Sequence, residues 1–319
     1  MPITGPSSYL PTTDLFLAHW LSANTALGAG GPMVLKDGVS QAGLATLRTT
    51  LANQRTAVVV AANALEGARA DIEIKKAALL VRLNQFNNKL ESLATGTRWV
   101  QMRPKAFTVS EGMGRVLPPL DDVADLWSRY ELGVATTMLL LGGYTRATFI
   151  TELASLKTAY TAWSSAENGL KLARAARNET QAVIYEILKQ YRMRIPAEFA
   201  EGSAILETLP RLTPLPGHTP DPVALSAAWN ATTSQANLSW TETTDSAVAT
   251  VEVRASVGPD YDPEDETVLV TQAPSAPRTW AGDFGLAVPG AAATYKVYLL
   301  TAEGNERGSN AATVQRPVI

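Results

Sequence analysis

LATLRTTLANQRTAVVVAANALEGARADIEIKKAALLVRLNQFNNKLESL, residues 44–93, carries an apolar side chain at every seventh position: Leu44, Leu51, Val58, Leu65, Ile72, Leu79, Phe86 and Leu93. An unbroken row of this kind points to a long helix with a coiled-coil-like seam. The companion positions are irregular. Leu47 follows Leu44 by three, whereas Leu83 and Leu90 follow Leu79 and Phe86 by four. The stripe therefore broadens and drifts, which suits a bundle helix better than a strict two-stranded coil. No proline interrupts residues 38–96, so a helix of roughly 85 Å is expected at 1.5 Å per residue.

Three further helices are expected around it. Pro11-Thr12-Thr13-Asp14 precedes Leu15, Phe16, His19 and Trp20, and Gly28, Gly30 and Gly31 end that run as a short helix. A helix over about 120–141 would hold Asp121, Asp122 and Asp125 in its first turn, where the helix dipole favours anions. Gly142-Gly143 ends it, as either a reversal or a kink, and Thr145 can cap a last helix over about 145–194. There Phe149, Leu156, Trp163 and Leu170 repeat the seven-residue step, Arg174 and Arg177 interrupt it and are expected first to snorkel outward, or else to pair with acids on a neighbour, and Pro196 closes the helix.

Between residues 96 and 119 runs a long connection carrying Trp99, Met102, Phe107 and Met113 among Arg98, Arg103, Lys105 and Arg115. Residues 98–102 and 106–110 could pair as a small β-hairpin. The segment is either a lid over the end of the core or an interaction loop, with Trp99, Arg103 and Phe107 as the candidate contact residues.

Residues 202–222 contain Pro210, Pro214, Pro216, Pro220 and Pro222, a stiff extended linker that would space the flanking domains. Beyond it, short alternating runs bounded by turn residues predict strands at 223–229, 235–241, 248–256, 267–272, 278–284, 293–302 and 310–316. Seven strands in so short a segment suggest a sandwich. Within it, Leu238-Ser239-Trp240 resembles the second strand of a fibronectin type III domain with its core tryptophan. Leu286, Pro289 and Tyr295 resemble that family's tyrosine corner, and residues 303–310 are similar to its last hairpin. The resemblance implies a spacer or binding module, and no Arg-Gly-Asp motif is present to carry over an adhesive role. The helical part resembles phage virion and surface-appendage shaft proteins only in its general plan.

The expected fold is thus a multidomain α-plus-β chain. An elongated helical bundle with two long helices (1–201) is followed by the proline-rich linker (202–222) and an all-β, fibronectin-type-III-like sandwich (223–319).

Composition narrows the functional classes. The 319 residues include 46% apolar side chains, no cysteine and a net charge of −3. Disulfides, thiolate metal sites and cysteine nucleophiles are excluded. Residues 1–219 carry 22 Lys/Arg against 18 Asp/Glu, and residues 220–319 carry 5 against 12, so a mildly basic half precedes an acidic one. Neither half has the basic stripe that nucleic-acid binding needs. Met1-Pro2-Ile3-Thr4-Gly5-Pro6 lacks the pattern of a secretory signal, and the longest apolar stretch, within 133–143, is too short to span a bilayer. Membrane insertion is not expected, and the chain would be cytoplasmic, particle-associated or exported by a non-standard route.

Of the two histidines, His19 and His218, neither has the company of a catalytic or metal-binding motif. Asp260, Asp262, Glu264, Asp265 and Glu266 form a carboxylate run whose readings are a solvated acidic turn or a weak calcium site. No catalytic residue, cofactor or metal ligand is assigned. The expected function is a non-enzymatic structural subunit of a filament, tube or virion, a homo-oligomer or polymer that can also meet other structural proteins. An adhesin or ligand-binding spacer is the first alternative. A helical pore former using Val134–Leu141 is the second. If the basic and acidic halves join neighbouring copies, salt should loosen them.

Overall fold

The computed structural model describes residues 2–318. Helices come first: α1 (Tyr9–Leu27), α2 (Gln41–Ala94), α3 (Arg98–Gln101), α4 (Met113–Val134), α5 (Arg146–Glu198) and α6 (Ala204–Glu207). The strands follow: β1 (Leu225–Asn230), β2 (Gln235–Trp240), β3 (Val248–Val257), β4 (Thr267–Gln272), β5 (Thr279–Gly282), β6 (Ala292–Thr301), β7 (Glu306–Gly308) and β8 (Ala312–Gln315). The fold class is as expected, two long helices in the first two thirds and an antiparallel sandwich at the end. Contacts divide the chain into two compact units. One takes residues up to Glu66 together with Asn168–Pro317, and the other takes Gly67–Glu167.

In the discontinuous unit, α1, the start of α2 and the end of α5 enclose Phe16, Trp20, Leu44, Leu51, Ile184, Leu188 and Tyr191. The tail of this core is the segment expected to be an extended linker. Instead, Ser203 caps α6 by accepting from the Leu206 amide at 3.3 Å, and Ile205, Leu206, Leu209 and Leu212 pack on the helices. The prolines stiffen the chain, but apolar residues before and just after Pro210 hold its first half down.

The sandwich consists of a β1-β2-β5 sheet and a β4-β3-β6 sheet, with β7 and β8 pairing in turn along the free side of β6. In β2 the side chains alternate, with Ala236, Leu238 and Trp240 buried and Asn237 and Ser239 exposed, as a half-buried strand requires. Tyr295 donates its hydroxyl to the Phe284 carbonyl at 3.0 Å beside buried Leu286, so the corner motif closes as its residues suggested.

The contiguous unit is built on the second half of α2, α4 and the first half of α5. Leu79, Leu83, Phe86, Leu90, Leu120, Val123, Trp127, Phe149, Leu153 and Leu156 form its core, with Trp127 lying between Phe86 and Phe149 at centroid distances of 5.4 and 6.1 Å. Leu93, the last member of the seven-residue row, is 53% exposed. A straight α-helix rotates about 20° per heptad away from a 3.5-residue repeat, so the buried stripe passes to Leu83, Leu90 and Ala94.

Several local expectations are corrected. Residues 98–101 form a helical turn, and no strand occurs between 98 and 110, so the expected hairpin is absent. The α4 helix begins at Met113, not Leu120, and carries Pro118 and Pro119 in its second turn, where each removes one donor without ending the helix. It stops at Val134 because Ala135 adopts a left-handed conformation at φ 53°. Gly142 and Gly143, at φ 78° and 75°, then reverse the chain, with Leu140 and Tyr144 bridged across the turn. Residues 135–141 are therefore not helical, although Met138 and Leu140 still bury their side chains in the core of this unit. Pro196 lies inside α5, which continues to Glu198. Trp163 is 38% exposed instead of sitting in the stripe.

Candidate functional site

The densest cluster of charged groups lies where the helices of the discontinuous unit meet the sandwich. Arg177, one turn or so along α5 from Arg174, is 2% exposed, so the snorkelling expectation fails for it. Its Nη1 donates to Asp265 Oδ1 at 2.7 Å and to the Glu264 carbonyl, and its Nε donates to Asn178 Oδ1 at 2.9 Å. Arg174 donates to Asp265 Oδ2 at 2.6 Å and to Asp262 Oδ2 at 2.8 Å. Asp265 thus takes one guanidinium on each oxygen, the charge-assisted arrangement that best offsets the desolvation of a buried carboxylate.

Arg55 of α2 completes the contact with backbone acceptors. It donates to the Glu266 carbonyl at 2.6 Å and to the Pro6 carbonyl, tying the N-terminal segment to the same loop. Burial and the neighbouring Arg177 charge lower its pKa from the usual arginine value. Val58, Ala62 and Leu170 close an apolar patch beside these pairs, with Val257 at the end of β3 against it.

Directly beneath, β3 is buried on both faces from Val251 to Ser256. Val251, Val253 and Ala255 face the sandwich core, so Glu252, Arg254 and Ser256 fall on the opposite face. Arg254 donates to Glu252 at 2.8 Å, Glu266 at 3.0 Å and Glu306 at 2.6 Å, and its guanidinium lies 4.0 Å from the centre of the Tyr298 ring. Tyr261 donates to the other Glu266 oxygen at 2.5 Å. Although burial alone would lower it, the pKa of Arg254 is raised by Glu306, Glu266 and Glu252.

The carboxylate run of 260–266 is accordingly only in part a solvated turn: Asp260 and Glu264 are exposed, whereas Asp265 and Glu266 are buried and spent on arginines. Among the described residues no group of three or more His, Cys, Asp or Glu side chains is arranged to hold a metal ion. The sequence singles out Arg174, Arg177 and the acids of 260–266, with pairing as the second reading of the arginines, but not Arg55, Glu252, Arg254 or Tyr261. The only available signal for the pairing was that two arginines interrupt an apolar helical stripe while five acids crowd one loop.

The candidate loop residues occupy the other unit. Trp99 meets Tyr130 edge-on at 5.9 Å and covers Gly133, where an added Cβ would come within 2.9 Å of the indole. Phe107 is buried in the core. Arg103 pairs with Glu91 and donates to the Val100 carbonyl at 3.0 Å, and Asn87 secures the loop by donating to the Pro104 carbonyl at 2.9 Å. The three residues are near the same end of one core, with Trp99 and Phe107 facing into it.

Both histidines bind within the fold. His19 donates from Nε2 to the Ile205 carbonyl at 2.8 Å, which leaves Nδ1 of the neutral ring to accept from the Tyr191 hydroxyl at 2.6 Å. His218 pairs with Asp245 at 2.5 Å.

No protein-family model and no curated protein matches the chain. Solved structures similar to it include an Fn3-like protein from Clostridium thermocellum, at 22% identity over 32% of this chain and 98% of that one, with a TM-score of 0.24. Pectate lyase PelI from Erwinia chrysanthemi in complex with tetragalacturonic acid is 21% identical over 29% of this chain, with the same TM-score of 0.24. The match spans only 28% of that lyase's length. Likeness at this level carries no activity across. The strand order and the Tyr295 corner make the C-terminal third a fibronectin-type-III-like sandwich, and the helical part has no recognised relative.

Proposed function

We propose that the chain is a non-enzymatic structural subunit, one that self-assembles or takes its place in a larger particle or appendage. The observation that carries this reading is the seating of the sandwich on the helices by Arg55, Arg174 and Arg177, through buried, hydrogen-bonded charge pairs. A tethered binding module needs no such contact; a subunit that must hold its head at a fixed attitude does. The same pairing spends Asp262, Asp265 and Glu266 within the chain and leaves Asp260 and Glu264 exposed, so apolar contacts should contribute more to assembly than this loop does. Leu132, Leu141 and Leu172 are largely exposed and available for them.

Negative-stain electron microscopy of the purified full-length chain at low and about molar salt tests this. Filaments, tubes or rings at both salt concentrations are expected. Single particles under every condition would remove self-assembly and shift weight to a ligand-binding spacer, a reading that the cleft described below favours. The pore-forming alternative has no helix to start from, because 135–141 is a turn segment and no helix among the described residues is long and apolar enough to cross a membrane.

A further inference from the structure

In the contiguous unit, a cleft of about 530 Å³ opens between α2, the start of α4 and α5, lined by Ile72, Lys76, Glu111, Met113, Tyr160 and Trp163. That volume lies within the range of small-molecule sites, roughly 300–1,000 Å³. The walls are mostly apolar. Met113 and Trp163 are 52% and 38% exposed and give the cleft two large apolar surfaces open to a ligand.

Three sets of hydrogen-bond donors at this cleft lack acceptors. Lys76 is 6% exposed, yet among the described residues its amine makes no hydrogen bond and no ion pair. Burial lowers its pKa, against the opposing pull of Glu73 and Glu111. Those two carboxylates are engaged elsewhere, Glu73 with Arg69 at 3.8 Å and Glu111 with the Thr108 amide at 3.0 Å. The Tyr160 hydroxyl is buried with no partner. The third set belongs to α4, a helix of 22 residues whose N-cap, Gly112, has no side chain to receive its first amides. The Tyr160 hydroxyl, buried and unpaired, costs free energy that a native fold rarely leaves standing, and Lys76 holds an unpaired amine at the end of a buried stem.

We propose that this cleft binds an amphipathic monocarboxylate. Its head group would be received by the Lys76 amine, the Tyr160 hydroxyl and the first amides of α4, and its aromatic or aliphatic body would lie on Ile72, Met113 and Trp163. All the unsatisfied groups donate, so the ligand must accept. Glu73 and Glu111 line the same cleft, so a dianion such as phosphate would be repelled where a single negative charge is accommodated.

Isothermal titration calorimetry of the full chain with 4-phenylbutyrate tests the proposal, with 4-phenylbutan-1-ol as the neutral isostere and inorganic phosphate as the anion without a body. The acid is expected to bind at least about tenfold tighter than the alcohol, and phosphate not at all, a tenfold difference being about 1.4 kcal/mol. Lys76→Met should abolish that preference. In the absence of ligand it should raise the thermal midpoint, because it replaces a partly desolvated, unpaired amine by an apolar side chain of similar length. Equal binding of acid and alcohol, tighter binding of phosphate, no heat from the acid at millimolar concentration, or an unchanged preference in Lys76→Met would each overturn the assignment. The comparison of acid with alcohol on the unaltered chain decides the matter even if the variant fails to fold.

Discussion

Arg177 and Asp265 are 88 residues apart in sequence and 2.7 Å apart in the fold, each almost wholly removed from solvent. Removing one partner strands the other charge in a site that water does not reach. Arg177→Met is therefore expected to destabilise the chain by about 3–5 kcal/mol. Arg177→Met combined with Asp265→Leu should recover much of that loss. Urea denaturation of the two singles and the double gives the coupling energy, and additive losses would mean that the pair does not act as one.

The Tyr295 hydroxyl has a simpler role. Its hydrogen bond to Phe284 closes the corner of the sandwich. Tyr295→Phe keeps the ring in place and leaves the carbonyl unpaired, for an expected loss of about 1–3 kcal/mol. A shift in the urea midpoint without a change in slope would confirm that only stability has moved.

Two positions on one heptad row should respond oppositely. Phe86 is fully buried against Trp127, whereas Leu93 is 53% exposed. Phe86→Ala is expected to cost about 3–5 kcal/mol and Leu93→Ala within about 0.5 kcal/mol. Comparable thermal shifts for the two would show that the row stays on the buried face to its end.

Alkali should unfold the protein. Burial raises the pKa of Tyr144, Tyr191, Tyr261 and Tyr295 above the ordinary value of 10.0. The unfolded chain then loses these protons first, so their stabilisation is complete below pH 10 and disappears as pH rises above it. At one pH unit above that value each contributes a loss of up to about 1.4 kcal/mol. Lys76 works in the opposite sense, since its folded pKa lies below 10.5, but burial raises Tyr9, Tyr160 and Tyr298 as well, so the tyrosines outweigh it. Urea midpoints at about pH 8.5 and about pH 11, read beside tyrosinate absorbance, check the sign.

The strands and the two long helices were legible because their periods, 2 and near 3.6, are local properties of the chain. β4 begins and ends at the expected residues, 267 and 272. The start of α4 was misplaced because Pro118-Pro119 is a strong local stop that packing of Val116 and Leu120 overrides. The arginine cluster was illegible for another reason. An arginine on a helical stripe looks the same whether it meets water or a carboxylate contributed from almost ninety residues away, as Arg177 does. The donors at the cleft were equally hidden, since Lys76, Tyr160 and Gly112 share no spacing that a motif could express.

The division of the chain into a contiguous and a discontinuous unit sets an order for its synthesis. Residues 67–167 hold all they need for their own core once they leave the ribosome. The N-terminal residues, though made first, must wait: Ile3 bonds to the Leu212 carbonyl at 2.9 Å and Arg55 to Glu266. Until those partners are translated, Phe16, Trp20 and Leu44 lack the Ile184, Leu188 and Tyr191 side chains that complete their core, and part of an apolar surface stays open on the nascent chain.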